Sequence, residues 1–122
     1  MIEIVEGDIF ASGADVLVNP VDCEGDSKAG LAAVFAERFP QNQDQLYKAC
    51  VAGEIAPGGL IVGQTLDGTV ILNAAIKEEA AGISSLLWLR SLAANICAYL
   101  EQCPADSIAV PALGSGQVGG LP

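Results

Sequence analysis

Residues 2–5 (IEIV) alternate apolar with polar, the mark of a half-buried strand at a sheet edge. Asp15 to Asn19 (DVLVN) is almost continuously apolar and fits a strand buried on both faces. From Gly30, the run LAAVFAERFP puts Leu31, Val34, Phe35 and Phe39 at helical spacing, and Pro40 ends a helix of about three turns. QNQDQLYKACVAG predicts a second, more polar helix reaching Gly53, since glycine tolerates the left-handed conformation of a C-cap. GLIVG and TVILNAAI are strands separated by the turn signal Asp67-Gly68, which predicts a hairpin. The stretch Ile83 to Gln102 is the longest predicted helix, with Leu86, Leu89, Ala93, Ile96, Cys97 and Leu100 along one stripe and Ser84 or Ser85 as N-cap. After Pro104, SIAVPAL is a short buried strand that runs straight into GSGQVGG.

Strands interleaved with helices predict an α/β sandwich around a mixed sheet, in which ligands sit beyond the carboxyl ends of the strands. Three polar or glycine-rich stretches follow predicted strands: NPVDCEGDSKAG, NAAIKEE and GSGQVGG. If those ends share one rim, they form one site. No repeat, linker or low-complexity tract divides the chain, so residues 1–122 are expected to form one domain.

Composition narrows the chemistry. At 52% hydrophobic and 16% charged residues the chain has ample apolar material for a core. No apolar run approaches the roughly 18 residues of a membrane span, and MIEIVEGD lacks the features of a signal peptide, so a cytoplasmic location is expected. A formal charge of −10 repels phosphate backbones and argues against nonspecific nucleic-acid binding. The chain has no histidine, which removes Ser-His-Asp and Cys-His catalysis and histidine metal sites. Cys23, Cys50, Cys97 and Cys103 show no CxxC pair or zinc spacing and read as buried thiols.

Gly114, Gly116 and Gly119 match GxGxxG after a strand, but no helix or acidic residue follows at the distance a dinucleotide fingerprint needs. The segment is either an ordinary tight turn or a loop whose N–H groups approach a diphosphate. GDSKAG (25–30) lacks the Gly-Lys-Ser/Thr end of a Walker A loop; it can still open a helix at Gly30, where free amides hold a phosphate without basic residues. Lys77 is either a solvated group at a strand end or a nucleophile, a role that needs the amine freed of its proton while Glu78 and Glu79 favour the ammonium. Asp8 and Asp22 lie nearest predicted strand ends; each is equally well a turn or cap acceptor.

Taken together, GDIF, VLVNPVDC and AGLAAVFAERFP resemble the opening strand, loop and helix of macrodomains. VAGEIAPGGLIVG, NAAIK and AVPALGSGQVGGLP extend the resemblance along essentially the whole chain, to the branch that holds terminal ADP-ribose glycohydrolase and the DarG antitoxins. It implies a three-layer α/β/α sandwich that binds ADP-ribose without a cofactor or metal. Because the family continues with a further helix and strand, the domain is expected to be short at its C-terminal end.

The resemblance also distributes roles. Asp8, followed by Ile9, falls on the aspartate that recognises the adenine amino group, and Asp22, after Asn19, on the polar residue against the distal ribose. Lys77 falls on the lysine that acts at the anomeric carbon. Diphosphate contacts fall on Ala29, Gly30 and Leu31 and on Gly114, Ser115, Gly116, Gln117 and Val118. Three departures stand out. Asp26, Ser27 and Lys28 replace a more glycine-rich loop, Asp22 replaces the asparagine usual in the DarG-like pattern, and Val118 replaces an aspartate of the glycohydrolase subgroup. The implied activity is removal of ADP-ribose from a modified protein or nucleobase. The alternatives are a reader that binds ADP-ribose without cleaving it and an antitoxin-like module that engages a toxin partner.

Overall fold

The structure, a computed structural model, describes residues 8–25, 27, 30–78 and 85–111. The strand expected at residues 2–5 and the loop GSGQVGG lie outside them. A 3-10 turn (Ile9–Ala11) leads into β1 (Val16–Asp22), α1 (Gly30–Arg38), α2 (Pro40–Val51), β2 (Leu60–Gln64), β3 (Val70–Lys77), α3 (Leu86–Gln102) and β4 (Ile108–Ala109). The four strands form one mixed sheet in the order β2-β3-β1-β4. β1 runs parallel to β3 and β4, and β2 pairs antiparallel with β3 as the expected hairpin.

Alternation along the two central strands divides the core. Val16 and Val18 of β1 and Leu72, Ala74 and Ile76 of β3 pack against Leu92 and Ile96 of α3. On the opposite face, Leu17 and Ile71 meet Phe35 of α1, while Val21 and Ala75 meet Leu46 of α2. Both faces are covered, which is why these strands read as apolar runs. Pro20, which has no N–H to donate, lies beyond the last pair with β4, Leu17 and Ala109.

Several expectations shift in detail. α3 starts after Ser85, whose side chain accepts the Trp88 N–H. Its buried stripe runs through Leu89, Leu92, Ile96 and Leu100, while Leu86, Ala93 and Cys97 are exposed. Leucine at 92 reaches the sheet, and the smaller Ala93 and Cys97 flank it on the solvent side. Pro40 both ends α1 and begins α2, because a missing N–H costs nothing in a first helical turn. Cys97 and Cys103 are exposed and Cys23 and Cys50 half-buried, so the cysteines are not the buried set their small apolar character implied.

Candidate functional site

The parallel pairing of β1 with β3 sets the site. Register runs from Val16 opposite Val70 to Val21 opposite Ala75, and an irregularity then brings Lys77, rather than Ile76, opposite Asp22. The ladder continues one step further, where the Cys23 N–H donates to the Glu78 carbonyl at 3.0 Å. Asp22 and Lys77, far apart in sequence, are therefore neighbours at the carboxyl ends of the two central strands. Asp22 is 8% exposed and Lys77 half-buried.

Asp22 also builds the turn that follows it. Its Oδ1 accepts from the Glu24 and Gly25 N–H groups at 2.8 and 3.1 Å. Gly25 has φ +75°, and a Cβ there would stand 3.1 Å from Tyr47 Cα and 3.4 Å from Cys50 Cβ, so the turn lies directly on α2. The Gly25 carbonyl accepts from Gln43 Nε2 at 3.0 Å. Burial pushes the Cys23 thiol up to about 11, with Cys50, Asp22 and Glu78 adding to the effect. Burial, followed by Asp22, raises the Cys50 thiol as well. Both thiols are therefore held protonated and poorly nucleophilic at neutral pH.

Deeper in the strands, three wholly or nearly buried asparagines form one network. Asn19 and Asn42 each donate to Asn73 Oδ1, at 3.0 and 3.1 Å, and Asn73 Nδ2 donates to Asn42 Oδ1 at 2.8 Å and to the Ile61 carbonyl at 3.0 Å. A Cβ on Gly63 would fall 2.0 Å from Asn42 Oδ1, so β2 admits α2 this closely only with glycine. Asn19 is fully buried and its Nδ2 ties β1 to β3 three residues before Asp22, while its buried Oδ1 has no hydrogen-bond partner among the described residues.

The remaining expected residues fall as follows. Asp8 is exposed and accepts the Phe10 N–H at 2.9 Å, capping the 3-10 turn. Ile9 and Leu31 pack against the same cluster, Leu17, Phe35 and Ile71, which seats the Asp8 segment beside the first turn of α1. Gly30, with φ +63°, opens that helix. Ser27 adopts φ +42°, a conformation that favours glycine, at the loop where glycine was expected. Ala29, Gly114, Ser115, Gly116, Gln117 and Val118 lie outside the described residues. An open groove of about 490 Å³ lies at the other end of the sheet, between Phe10, Arg38, Asp15 and Thr69, away from Asp22 and Lys77. Among the described residues no cluster of three or more metal-ligating side chains occurs, and no helix is long and apolar enough to cross a membrane.

The Macro domain family model matches residues 18–122. The chain belongs to the macrodomain family. This macrodomain is 33% identical over 124 residues to a DNA ADP-ribosyl glycohydrolase of Mycobacterium tuberculosis, covering 99% of this chain but 35% of that protein. It thus spans about a third of the length of the curated relatives it matches. Its fold superimposes on the macrodomain of Mycobacterium tuberculosis DarG with a TM-score of 0.94 at 32% identity, covering 100% of this chain and 82% of that one. A further match is Thermosipho africanus DarTG in complex with ADP-ribose, with a TM-score of 0.86 at 28% identity over 95% of this chain and 34% of that one.

Sequence reasoning did not find Asn42, Gln43 or Asn73. A signal existed for one of them: Asn19 and Asn73 interrupt otherwise apolar strands, and two such asparagines in neighbouring buried strands have to satisfy each other.

Proposed function

We propose that this macrodomain binds ADP-ribose at the rim formed by β1, β3 and the start of α1, and releases it from an ADP-ribosylated nucleobase of DNA. The observation that carries this is the Asp22–Lys77 pairing at the carboxyl ends of adjacent parallel strands, the place where α/β sheets bind ligands. The mycobacterial and Thermus relatives, named DNA ADP-ribosyl glycohydrolases, support the substrate, and the ADP-ribose complex of the Thermosipho protein supports the ligand. Lys77 acts at the distal ribose carbon and Asp22 orients that ribose. The carbon–nitrogen bond breaks with its electron pair going to the base nitrogen, which takes up a proton, and a water oxygen ends on the ribose carbon. Asp8 selects adenine, and backbone amides at Gly30 and in the last glycine loop hold the diphosphate, so an acidic chain needs neither a basic patch nor a resident cofactor.

In this reading the 122 residues act as one cytoplasmic domain, and a toxin is the natural macromolecular partner. The test is release of ADP-ribose from a modified single-stranded oligonucleotide. Lys77→Ala is expected to abolish release while retaining ADP-ribose binding. Equal turnover by the variant removes the lysine mechanism, and binding without turnover by the wild type makes the domain a reader.

A further inference from the structure

We propose that Gln43 is a positioning residue for the ADP-ribose site, acting through Gly25 to fix the turn that carries Asp22; the inference rests on the function proposed above. Gln43, Tyr47 and Cys50 are spaced i, i+4, i+7 and share one face of α2. Tyr47 and Cys50 support Gly25 by contact, and Gln43 Nε2 donates to its carbonyl at 3.0 Å. The same residue's N–H is held from the opposite side by Asp22 Oδ1 at 3.1 Å. Gly25 is thereby clamped between the carboxylate of β1 and the amide of α2, five residues before α1 opens at Gly30.

Stability alone does not account for this glutamine. Its Oε1 is buried without a hydrogen-bond partner among the described residues, a cost that offsets what the Nε2 bond contributes. An apolar side chain of similar length would remove both the bond and the unpartnered oxygen. What it would also remove is the fixed direction of the Gly25 peptide, and with it one anchor of the turn that Asp22 builds. An amide of α2 placed where it adds little to folding, against the turn next to the Asp22–Lys77 pair, points to orientation of the site.

The experiment compares wild type, Gln43→Met and Gln43→Glu by calorimetric titration with ADP-ribose, by thermal melting and by hydrogen exchange at the Gly25 amide. Glutamate keeps the shape but loses the donor. Gln43→Met is expected to melt close to wild type, while Gln43→Glu, which turns a carboxylate oxygen toward the Gly25 carbonyl near Asp22, melts lower. Both are expected to exchange the Gly25 amide faster and to bind ADP-ribose about tenfold more weakly, the scale of one hydrogen bond. Wild-type affinity in both variants overturns the proposal, as does unchanged Gly25 exchange. So does a lowered melting temperature with affinity intact, which would make Gln43 purely structural. A wild type that binds no ADP-ribose sinks the reading of the site itself, a result distinct from variants that match a binding wild type.

Discussion

The two faces of the sheet are built on different principles. Toward α3 the buried cluster is apolar, Val16, Val18, Leu72, Ala74 and Ile76 against Leu92 and Ile96, and the helix adds one part-buried hydrogen bond, from Asn95 Nδ2 to the Gly58 carbonyl at 2.7 Å. Toward α1 and α2, the same strands bury Asn19 and Asn73, of which Asn73 binds both Asn19 and Asn42, and the sheet ends in a turn fastened by Asp22 and Gln43. An apolar face is tolerant, because side chains of similar volume replace one another at modest cost. A hydrogen-bonded face is not, because each group has one geometry that satisfies it and pays a desolvation penalty otherwise. The tolerant face supplies cohesion, and the intolerant face fixes where β1, β3 and α2 stand relative to one another at the rim that carries Asp22 and Lys77.

The sharpest way to break that contrast is Asn73→Leu, which keeps the branched outline in a somewhat larger side chain but leaves Asn42, Asn19 and the Ile61 carbonyl without their shared partner. We expect a loss of about 4 kcal/mol, from several buried groups at about 1–3 kcal/mol each, with ADP-ribose affinity falling in the folded fraction. Leu92→Ala on the other face should cost about 3 kcal/mol by lost transfer energy and cavity formation. Here the affinity of the folded protein should be unchanged. Urea unfolding followed by titration measures both. Equal effects of the two variants on affinity would dissolve the distinction between the faces.

Ser27→Gly probes the margin of the site with a smaller effect. The serine holds φ +42°, where a side chain costs about 1–2 kcal/mol. Glycine relieves that cost but gives the unfolded chain more freedom, so the net gain should be about 0.5 kcal/mol. A thermal melt that falls instead would mean the serine makes a contact worth more than its strain.

What was legible in the sequence follows the same division. Apolar periodicity placed β1, both strands of the hairpin, α1 and α3, because burial of one face or two leaves a direct trace in the order of residues, whereas α2 was placed by its polar composition and the glycine at its end. It placed the stripe of α3 slightly wrong, since Ala93 and Cys97 count as apolar yet sit beside Leu92 rather than beneath it. Patterning showed Asp22 and Lys77 only as two strand ends, and it was the family resemblance that set both at the ribose; the register irregularity that places them opposite each other has no local signature. Least legible was α2. Its asparagine and glutamine read as a solvated face, because a polar residue buried by tertiary hydrogen bonds is spelled like one in water.

The smallest expected effect lies at the end of the sheet farthest from Asp22 and Lys77, in the β2–β3 turn. Asp67 Oδ1 accepts from the Thr65 hydroxyl and from the Thr69 N–H at 3.0 Å. The hydrogen bond from Thr65, followed by that from Thr69, lowers its pKa from 3.8 to about 2. Since the folded chain holds the charged form more strongly than the unfolded chain, this contribution is complete above the ordinary carboxylate range and is lost as pH falls toward about 2. Asp67→Asn keeps an oxygen for both donors but cannot titrate. The unfolding free energy of the wild type should therefore fall more steeply than that of the variant across this acidic window. Parallel curves would show that the turn does not sense its own charge. ADP-ribose affinity at neutral pH should be the same in both proteins, because this turn touches neither the asparagine network nor the Asp22–Gly25–Gln43 clamp, and a change there would mean that the hairpin transmits along β3 what its packing gives no means to transmit.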